Sequence, residues 1–574
     1  MRRLALAYAI GLVPALAMAL VQPVWSRVDE AGHYDVIAQY AAGVYPHDAL
    51  TTIRPETLQV MKQTDVYGFV LQNAFARPDL TNGFQTVPPG ISPSAHVLWI
   101  RRHGFQFSYE AYQPPLYYLA ALPAWILGDR LGGAIGAVYA VRVFDALLAA
   151  LLVPMAMLIV LRLWPLNNEV AWTAALMTAV LAGRALNLSA VTNDVLTSVL
   201  GAACILVAIS GRWTSKRAVL LGILFGAAML TKITSIGLAP ALALALMQQR
   251  RGGGPKALAL SAIAAGICFV PWLGANVAMY GELLPTNEQL EMSAFPPTST
   301  DPSIWFVSTL HSFVTFWTGE PFLLLPGAPA LAFLALFLVA LALAGLLHAW
   351  RQRSPEISRD TLEVLGVAAL GAWAVSLTAP VLASFSAPGR LAYVGLGAVV
   401  ALMAAGLRVE LQSPLLRRAM IGLFAVLSVL GLVLLIHPAA SLPANPGHPA
   451  IARAQALQAS GSFDHLRVDA QTCAVDVAGD AWLAIDLVND GSRPVEWRQS
   501  LEVDSNGHPV ATSEFQRSTQ LPEALQAGST YSGWFWMGPS SKLQHLGDTT
   551  IVLLDVAADD YQQIGTLTVR TTLC

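Results

Sequence analysis

The 574 residues predict a polytopic α-helical membrane protein with about 11 transmembrane helices, a few outer juxtamembrane helices and a C-terminal extracytoplasmic β-sandwich domain. Three observations carry this. Charged residues make up 12% of the chain and hydrophobic ones 55%, against roughly 25% charged in an ordinary soluble domain. The mean hydropathy is +0.55, concentrated in long apolar runs. After Ile436 those runs stop, and short alternating segments separated by turn residues take over. Such a composition excludes a disordered chain, a nucleic-acid-binding protein and a disulfide-dense secreted scaffold.

The first run, Leu4 to Val24 behind Met1-Arg2-Arg3, suits a spanning helix or a secretory signal. Further candidate spans are Leu131 to Leu163, Glu169 to Ala190, Val195 to Ser210, Ala218 to Leu230, Thr234 to Met247, Ala257 to Tyr280, Gly327 to Trp350, Leu362 to Ser384, Leu391 to Leu407 and Ala419 to Ile436. With the N-terminus inside, alternate loops hold Arg162; Arg212, Lys216 and Arg217; Arg250, Arg251 and Lys256; Arg351, Arg353 and Arg359; and Arg408, Arg417 and Arg418. All fall on the cytoplasmic side, as the positive-inside rule requires. This register leaves Pro114 to Leu127, apolar but short and interrupted by Pro123, as a juxtamembrane or re-entrant helix on the outer face. The expected division is a membrane domain over 1–436, with outer loops at 25–113 and 281–326, and a β-rich domain over 437–574.

Charge separates the two parts. From Pro438 onward there are 7 basic and 15 acidic residues, leaving 26 basic and 21 acidic before it. In the tail, Ala481 to Val488, Val495 to Val503, Tyr531 to Met537, Thr550 to Val556 and Gly565 to Leu573 read as strands. Cys473 and Cys574 are expected to pair in an oxidising compartment, while Cys204 and Cys268 lie in spans as apolar packers.

The first outer loop carries 14 charged residues. It opens with Arg27-Val28-Asp29-Glu30-Ala31-Gly32-His33-Tyr34-Asp35, where adjacent carboxylates beside a His at a hydrocarbon boundary are tuned by desolvation and like-charge repulsion. The same acids could simply cap a helix. Tyr109-Glu110-Ala111-Tyr112-Gln113-Pro114-Pro115-Leu116-Tyr117-Tyr118 follows, then Thr192-Asn193-Asp194, in which Asp194 also suits a helix cap. Lys232 and Arg390 sit in outward turns against the positive-inside bias; they either snorkel to headgroups or suit a phosphate ligand. Arg142 and Asp145, one turn apart, read as an ion pair. Outer aromatic residues, Trp25, Tyr109, Tyr112, Trp305, Phe316 and Trp317 among them, suit an interfacial belt or sugar stacking.

In their order these features resemble the GT-C superfamily of membrane glycosyltransferases that use polyprenyl-phosphate sugars, including protein O-mannosyltransferases and lipid A aminoarabinose transferases. Asp29-Glu30-Ala31-Gly32-His33-Tyr34 resembles their D-E-x-x-H/R-aromatic signature. Gln113-Pro114-Pro115-Leu116 resembles their H/K-P-P-L motif, with Gln113 in place of the usual His or Lys. Thr192-Asn193-Asp194 resembles the second outer-loop Asp, Leu230-Thr231-Lys232 a recurrent lysine and Gly389-Arg390 a late arginine. The resemblance implies an inverting glycosyltransferase of the inner (cytoplasmic) membrane, with its site and C-terminal domain on the periplasmic side. Asp29 and Glu30 would be catalytic, and His33, Glu110, Gln113, Asp194, Lys232 and Arg390 would bind substrate. Its partners would be a polyprenyl-phosphate sugar donor, a glycan, lipid or protein acceptor and membrane lipids, with no nucleic acid. No cofactor is required, although Asp29, Glu30 and Asp194 offer oxygen atoms of the type that binds a divalent metal. The rival readings are a lipid-linked saccharide flippase, a diphosphate-donor saccharide ligase and a noncatalytic membrane anchor for the β domain, for which eleven spans are excessive.

Overall fold

Seven helices in the computed structural model are long and apolar enough to cross a membrane. The structure describes residues 2–22, 24, 29–44, 54, 57, 108, 110–165, 167–248, 252–284, 302–319, 327–352, 357–382, 388–441 and, in the tail, 451–463, 466–476, 480–496, 499–505, 508–513, 524–539, 548–555 and 562–570. Residues 1–23, 27–51 and 109–441 form one compact unit, and 24–26, 52–108 and 442–574 form a second.

In the helical unit, Arg2–Val21, Pro255–Tyr280, Ala328–Arg351, Arg359–Leu382 and Pro414–Ser441 follow the apolar runs read from the sequence. Four expected spans take shorter forms. The run from Glu169 breaks at Leu181 into Asn168–Val180 and Ala182–Asn187; Asp194–Ile209 and Ser215–Met229 are separate short helices; and the run from Thr234 begins as a 3₁₀ turn, Ile233–Leu238, before Ala239–Met247. Length alone therefore supports seven spans among the described residues, where eleven were expected.

Pro114 to Leu127 falls in the first of two helical arms of the Leu116–Leu163 stretch, which are separated where Gly132 and Gly133 (φ 62°) leave helical geometry. Gly133 supplies a left-handed conformation that side chains disfavour. Beyond this kink the chain doubles back, so that Gly128 lies against Gly136, Ala137 and Ala140 with no room for a side chain. Small residues let the two arms touch through backbone, as in other close membrane-helix contacts.

A second close approach positions the site. A 3₁₀ turn, Gly389–Gly395, lies against the Pro302–Thr318 helix: Gly389 N–H donates to Thr315 Oγ1 (2.8 Å) and Tyr393 Oη to Phe316 O (2.8 Å). Phe316 and Trp317, expected among the outer aromatics, are 0% and 2% exposed and serve as packing. Trp25 and Tyr109 lie outside the described residues.

The tail unit is antiparallel β-structure. Strands β1 (Ile451–Phe463), β2 (Leu466–Asp476), β3 (Asp480–Asn489) and β8 (Thr530–Pro539) form one four-stranded sheet in that order. A second sheet runs β10 (Gln562–Arg570), β9 (Asp548–Asp555), β5 (Gln499–Ser505), β6 (His508–Ser513), and two short strands, β4 (Val495–Glu496) and β7 (Ala524–Leu525), pair separately. Leu466, Val468, Ala470, Leu483 and Leu487 are buried at alternate positions, the period of a half-covered sheet. Cys473 is buried in β2, and its expected partner Cys574 lies outside the described residues.

A Cβ at Gly389 would meet backbone atoms of Ser312 and Phe316, whereas one at Gly366 would meet open space. Gly389→Val is expected to destabilise the protein by about 1–3 kcal/mol. Thermal unfolding of the purified chain in detergent checks this: the midpoint should fall for Gly389→Val and stay near wild type for Gly366→Val.

Candidate active site

Asp29 stands at the N-cap position of the Glu30–Ala41 helix, and among the described non-glycine residues it alone has positive φ (68°). That conformation costs an ordinary side chain about 1–2 kcal/mol. The carboxylate makes no capping bond to the helix. It forms a close ion pair with the Arg390 guanidinium instead. The helix-cap reading of Asp29 therefore does not hold.

Asp194 is the first residue of the Asp194–Ile209 helix, where the macrodipole favours an anion. Its Oδ1 accepts from Lys232 Nζ (2.6 Å), and its Oδ2 lies 3.7 Å from Arg390 Nη1. Lys232 occupies an extended position (φ −159°, ψ 132°) between a helix end and a 3₁₀ turn. Both cations are 8% exposed, so they are held inside the protein and do not snorkel. Asp29, Asp194, Lys232 and Arg390 thus form one network of two carboxylates and two cations.

Glu30 and Asp29, adjacent in sequence, face different surroundings. Glu30 is fully buried, and Arg142 clasps it through Nε to Oε1 (2.7 Å) and Nη2 to Oε2 (2.6 Å). Val191 N–H also donates to Glu30 Oε1 (3.0 Å), and Arg142 Nη1 donates to Gln22 O (2.5 Å). Glu30, expected to act beside Asp29, forms a buried ion pair here. One expectation is corrected. Arg142 and Asp145 do not pair with each other; Asp145 accepts from Tyr117 Oη (2.7 Å). Helical spacing placed those two charges together, but the buried arginine found a carboxylate from another element with better bidentate geometry.

His33 and Glu110 form a second buried group. His33 Nδ1 lies 3.0 Å from Tyr118 Oη and 3.6 Å from Glu110 Oε2. Burial lowers the His33 pKa to about 3 against the attraction of Asp29, and burial with the nearby Asp29 charge raises that of Glu110 to about 8. Both groups are therefore uncharged near neutral pH, and their contact is not an ion pair. His33 is 1% exposed.

Gln113 is half-buried; its Nε2 donates to Tyr112 Oη (3.3 Å), and its Oε1 accepts from Asn193 Nδ2 (3.5 Å). Asn193, Tyr117 and Tyr118 were not singled out from the sequence, though each lies inside a segment that was. Leu116 N–H donates to Leu230 O (3.0 Å), Tyr117 meets Thr192 N (3.0 Å) and Tyr118 meets His33, so three separate motifs converge on Leu116-Tyr117-Tyr118.

The three carboxylates considered for a divalent metal do not converge: Glu30 is clasped by Arg142, while Asp29 and Asp194 face Arg390 and Lys232. Among the described residues no group of three or more His, Cys, Asp or Glu is arranged to hold a metal ion.

No protein-family model and no curated protein matches the chain. Solved structures do. ArnT from Cupriavidus metallidurans bound to undecaprenyl phosphate is 16% identical, with 77% of this chain and 78% of that chain covered and a TM-score of 0.44; its apo form is 15% identical, with 65% and 75% covered and a TM-score of 0.39. The apo oligosaccharyltransferase of Archaeoglobus fulgidus is 13% identical, with 77% of this chain and 56% of that chain covered and a TM-score of 0.39.

Glu110 yields a pH prediction. Its pKa rises from the usual 4.5 to about 8 on folding, so between those values the folded chain holds a proton that the unfolded chain releases. Stability from this group falls as pH rises through that window. Glu110→Gln removes the effect, so the thermal midpoint of the variant minus that of wild type should widen from pH 5 to pH 8 and level off above it. A difference that stays constant across this range would contradict the assignment.

Proposed function

We propose that the chain is an inverting glycosyltransferase that moves a sugar from a polyprenyl-phosphate donor to a hydroxyl of a glycan, lipid or protein acceptor, working on the outer face of the inner membrane. The observation that carries this is the Asp29–Arg390–Asp194–Lys232 network, which sets a carboxylate beside two buried cations at one end of an apolar helical bundle. A phosphate leaving group needs cations at the oxygen where charge develops, and an acceptor hydroxyl needs a base.

In this reading the donor phosphate draws on Lys232 and Arg390. Phosphate competes with Asp29 for the guanidinium, which loosens that ion pair and leaves Asp29 a freer base. Asp29 takes the acceptor O–H proton as the acceptor oxygen forms its bond to the anomeric carbon. The bond from that carbon to the phosphate oxygen breaks, and its electron pair stays on the phosphate between the two cations. Attack opposite the phosphate inverts the anomeric centre. Glu30 acts through position: it holds the start of the helix behind Asp29 against Arg142 and Val191. Gln113 and Asn193 present neutral amides, so the network has two cations balanced by two carboxylates. That balance favours a donor with a single phosphate over a diphosphate, whose extra charge would have no further cation among the described residues of the network.

The test uses the purified chain in lipid vesicles with a labelled polyprenyl-phosphate sugar and candidate acceptors, following release of polyprenyl phosphate. Asp29→Asn is expected to lower kcat by roughly 10²- to 10⁴-fold. Full turnover by Asp29→Asn would remove Asp29 as the base. Movement of intact donor across the vesicle by wild type without transfer would favour the flippase.

A further inference from the structure

Asp145 lies outside every motif that suggested chemistry, yet it reaches the same turn as the catalytic network. It is fully buried in the Leu116–Leu163 helix. Its Oδ2 accepts from Tyr117 Oη (2.7 Å) and from Thr192 N–H (3.3 Å), and that amide also points at Tyr117 Oη (3.0 Å). Thr192 carries the contact onward. Its hydroxyl accepts from the Asp194 amide (3.2 Å) and donates to Asp194 Oδ2 (3.4 Å), the oxygen facing Arg390. One residue earlier, the Val191 amide is held by Glu30. Two successive amides of the turn before Asp194 are thus suspended from two buried carboxylates, and one of these follows Asp29 directly in the chain.

The arrangement is costly for a residue that only fills space. Asp145 Oδ1 is buried without a hydrogen-bond partner. An apolar side chain of similar size would avoid that penalty. What it could not supply is the acceptor that, with Tyr117, fixes the Thr192 amide.

We propose that Asp145 is a positioning residue for the transfer reaction, holding through Tyr117 and Thr192 the turn that aims Asp194 at Lys232 and Arg390. The proposal rests on the functional reading above for its catalytic consequence and on geometry alone for the strut itself. An acceptor is what the strut needs, so Asp145→Asn preserves it while Asp145→Ala removes it. Misaiming a catalytic group by about 1 Å costs on the order of 100-fold in rate.

The experiment measures hydrogen–deuterium exchange over residues 191–198 and transfer kinetics with labelled donor on the purified full chain. Asp145→Ala should speed exchange over this turn and lower kcat about 10- to 100-fold, with KM for the donor within about threefold of wild type. Asp145→Asn should stay near wild type in both. Tyr117→Phe, a milder change that keeps the ring's packing, should move both readouts in the direction of Asp145→Ala. Unchanged exchange in Asp145→Ala or in Tyr117→Phe overturns the strut, as does Asp145→Asn behaving like Asp145→Ala. If wild type transfers no sugar, the functional reading falls, and the exchange contrast still decides whether Asp145 holds the turn.

Discussion

The buried pair between Glu30 and Arg142 is the constraint on which the rest of the site depends. Both side chains are fully buried, and each is satisfied beyond the pair itself, Glu30 by the Val191 amide and Arg142 by the Gln22 carbonyl. Removing one partner of such a pair leaves an uncompensated charge, at a cost of about 3–5 kcal/mol. The pair also fastens together three distant stretches: the end of the first helix, the start of the helix behind Asp29 and the turn before Asp194. Without it, the two carboxylates facing Arg390 would have no common frame.

The Leu116-Tyr117-Tyr118 segment supplies the second part of that frame. Its backbone reaches Leu230, at the helix end two residues before Lys232, and its two hydroxyls reach the Asp194 turn and His33. The preceding prolines set the start of a helix without needing an N–H to be satisfied there. The segment therefore joins the elements that carry Lys232, Asp194 and His33. Around it, Glu110 and His33 are kept neutral by burial, and among the described residues Asp29, Asp194, Lys232 and Arg390 form the charged network beside them.

Much of this was legible in the sequence, for reasons that differ by residue. Lys232 and Arg390 were conspicuous as cations against the topological bias, and Asp29 and Asp194 as acids at membrane-helix ends; the structure joins all four. Helix positions followed from apolar runs, although the chain realises several as short or broken helices because Leu181 and the 3₁₀ turn at Ile233 interrupt them. The pairing of Glu30 was not legible, because its partner lies 112 residues away and local spacing offered Arg142 a nearer acid, Asp145. Nor could spacing show that Pro114 to Leu127 folds back across Gly132 and Gly133. That depends on the Gly128 backbone meeting Gly136, a tertiary contact.

The most direct measurement is a cryo-electron microscopy map of the chain in a lipid nanodisc with polyprenyl phosphate. The phosphate is expected between Lys232 and Arg390, within hydrogen-bonding distance of both and with Arg390 drawn away from Asp29. A phosphate bound elsewhere, with the Asp29–Arg390 and Asp194–Lys232 pairs intact, would contradict the assignment of this network as the donor site.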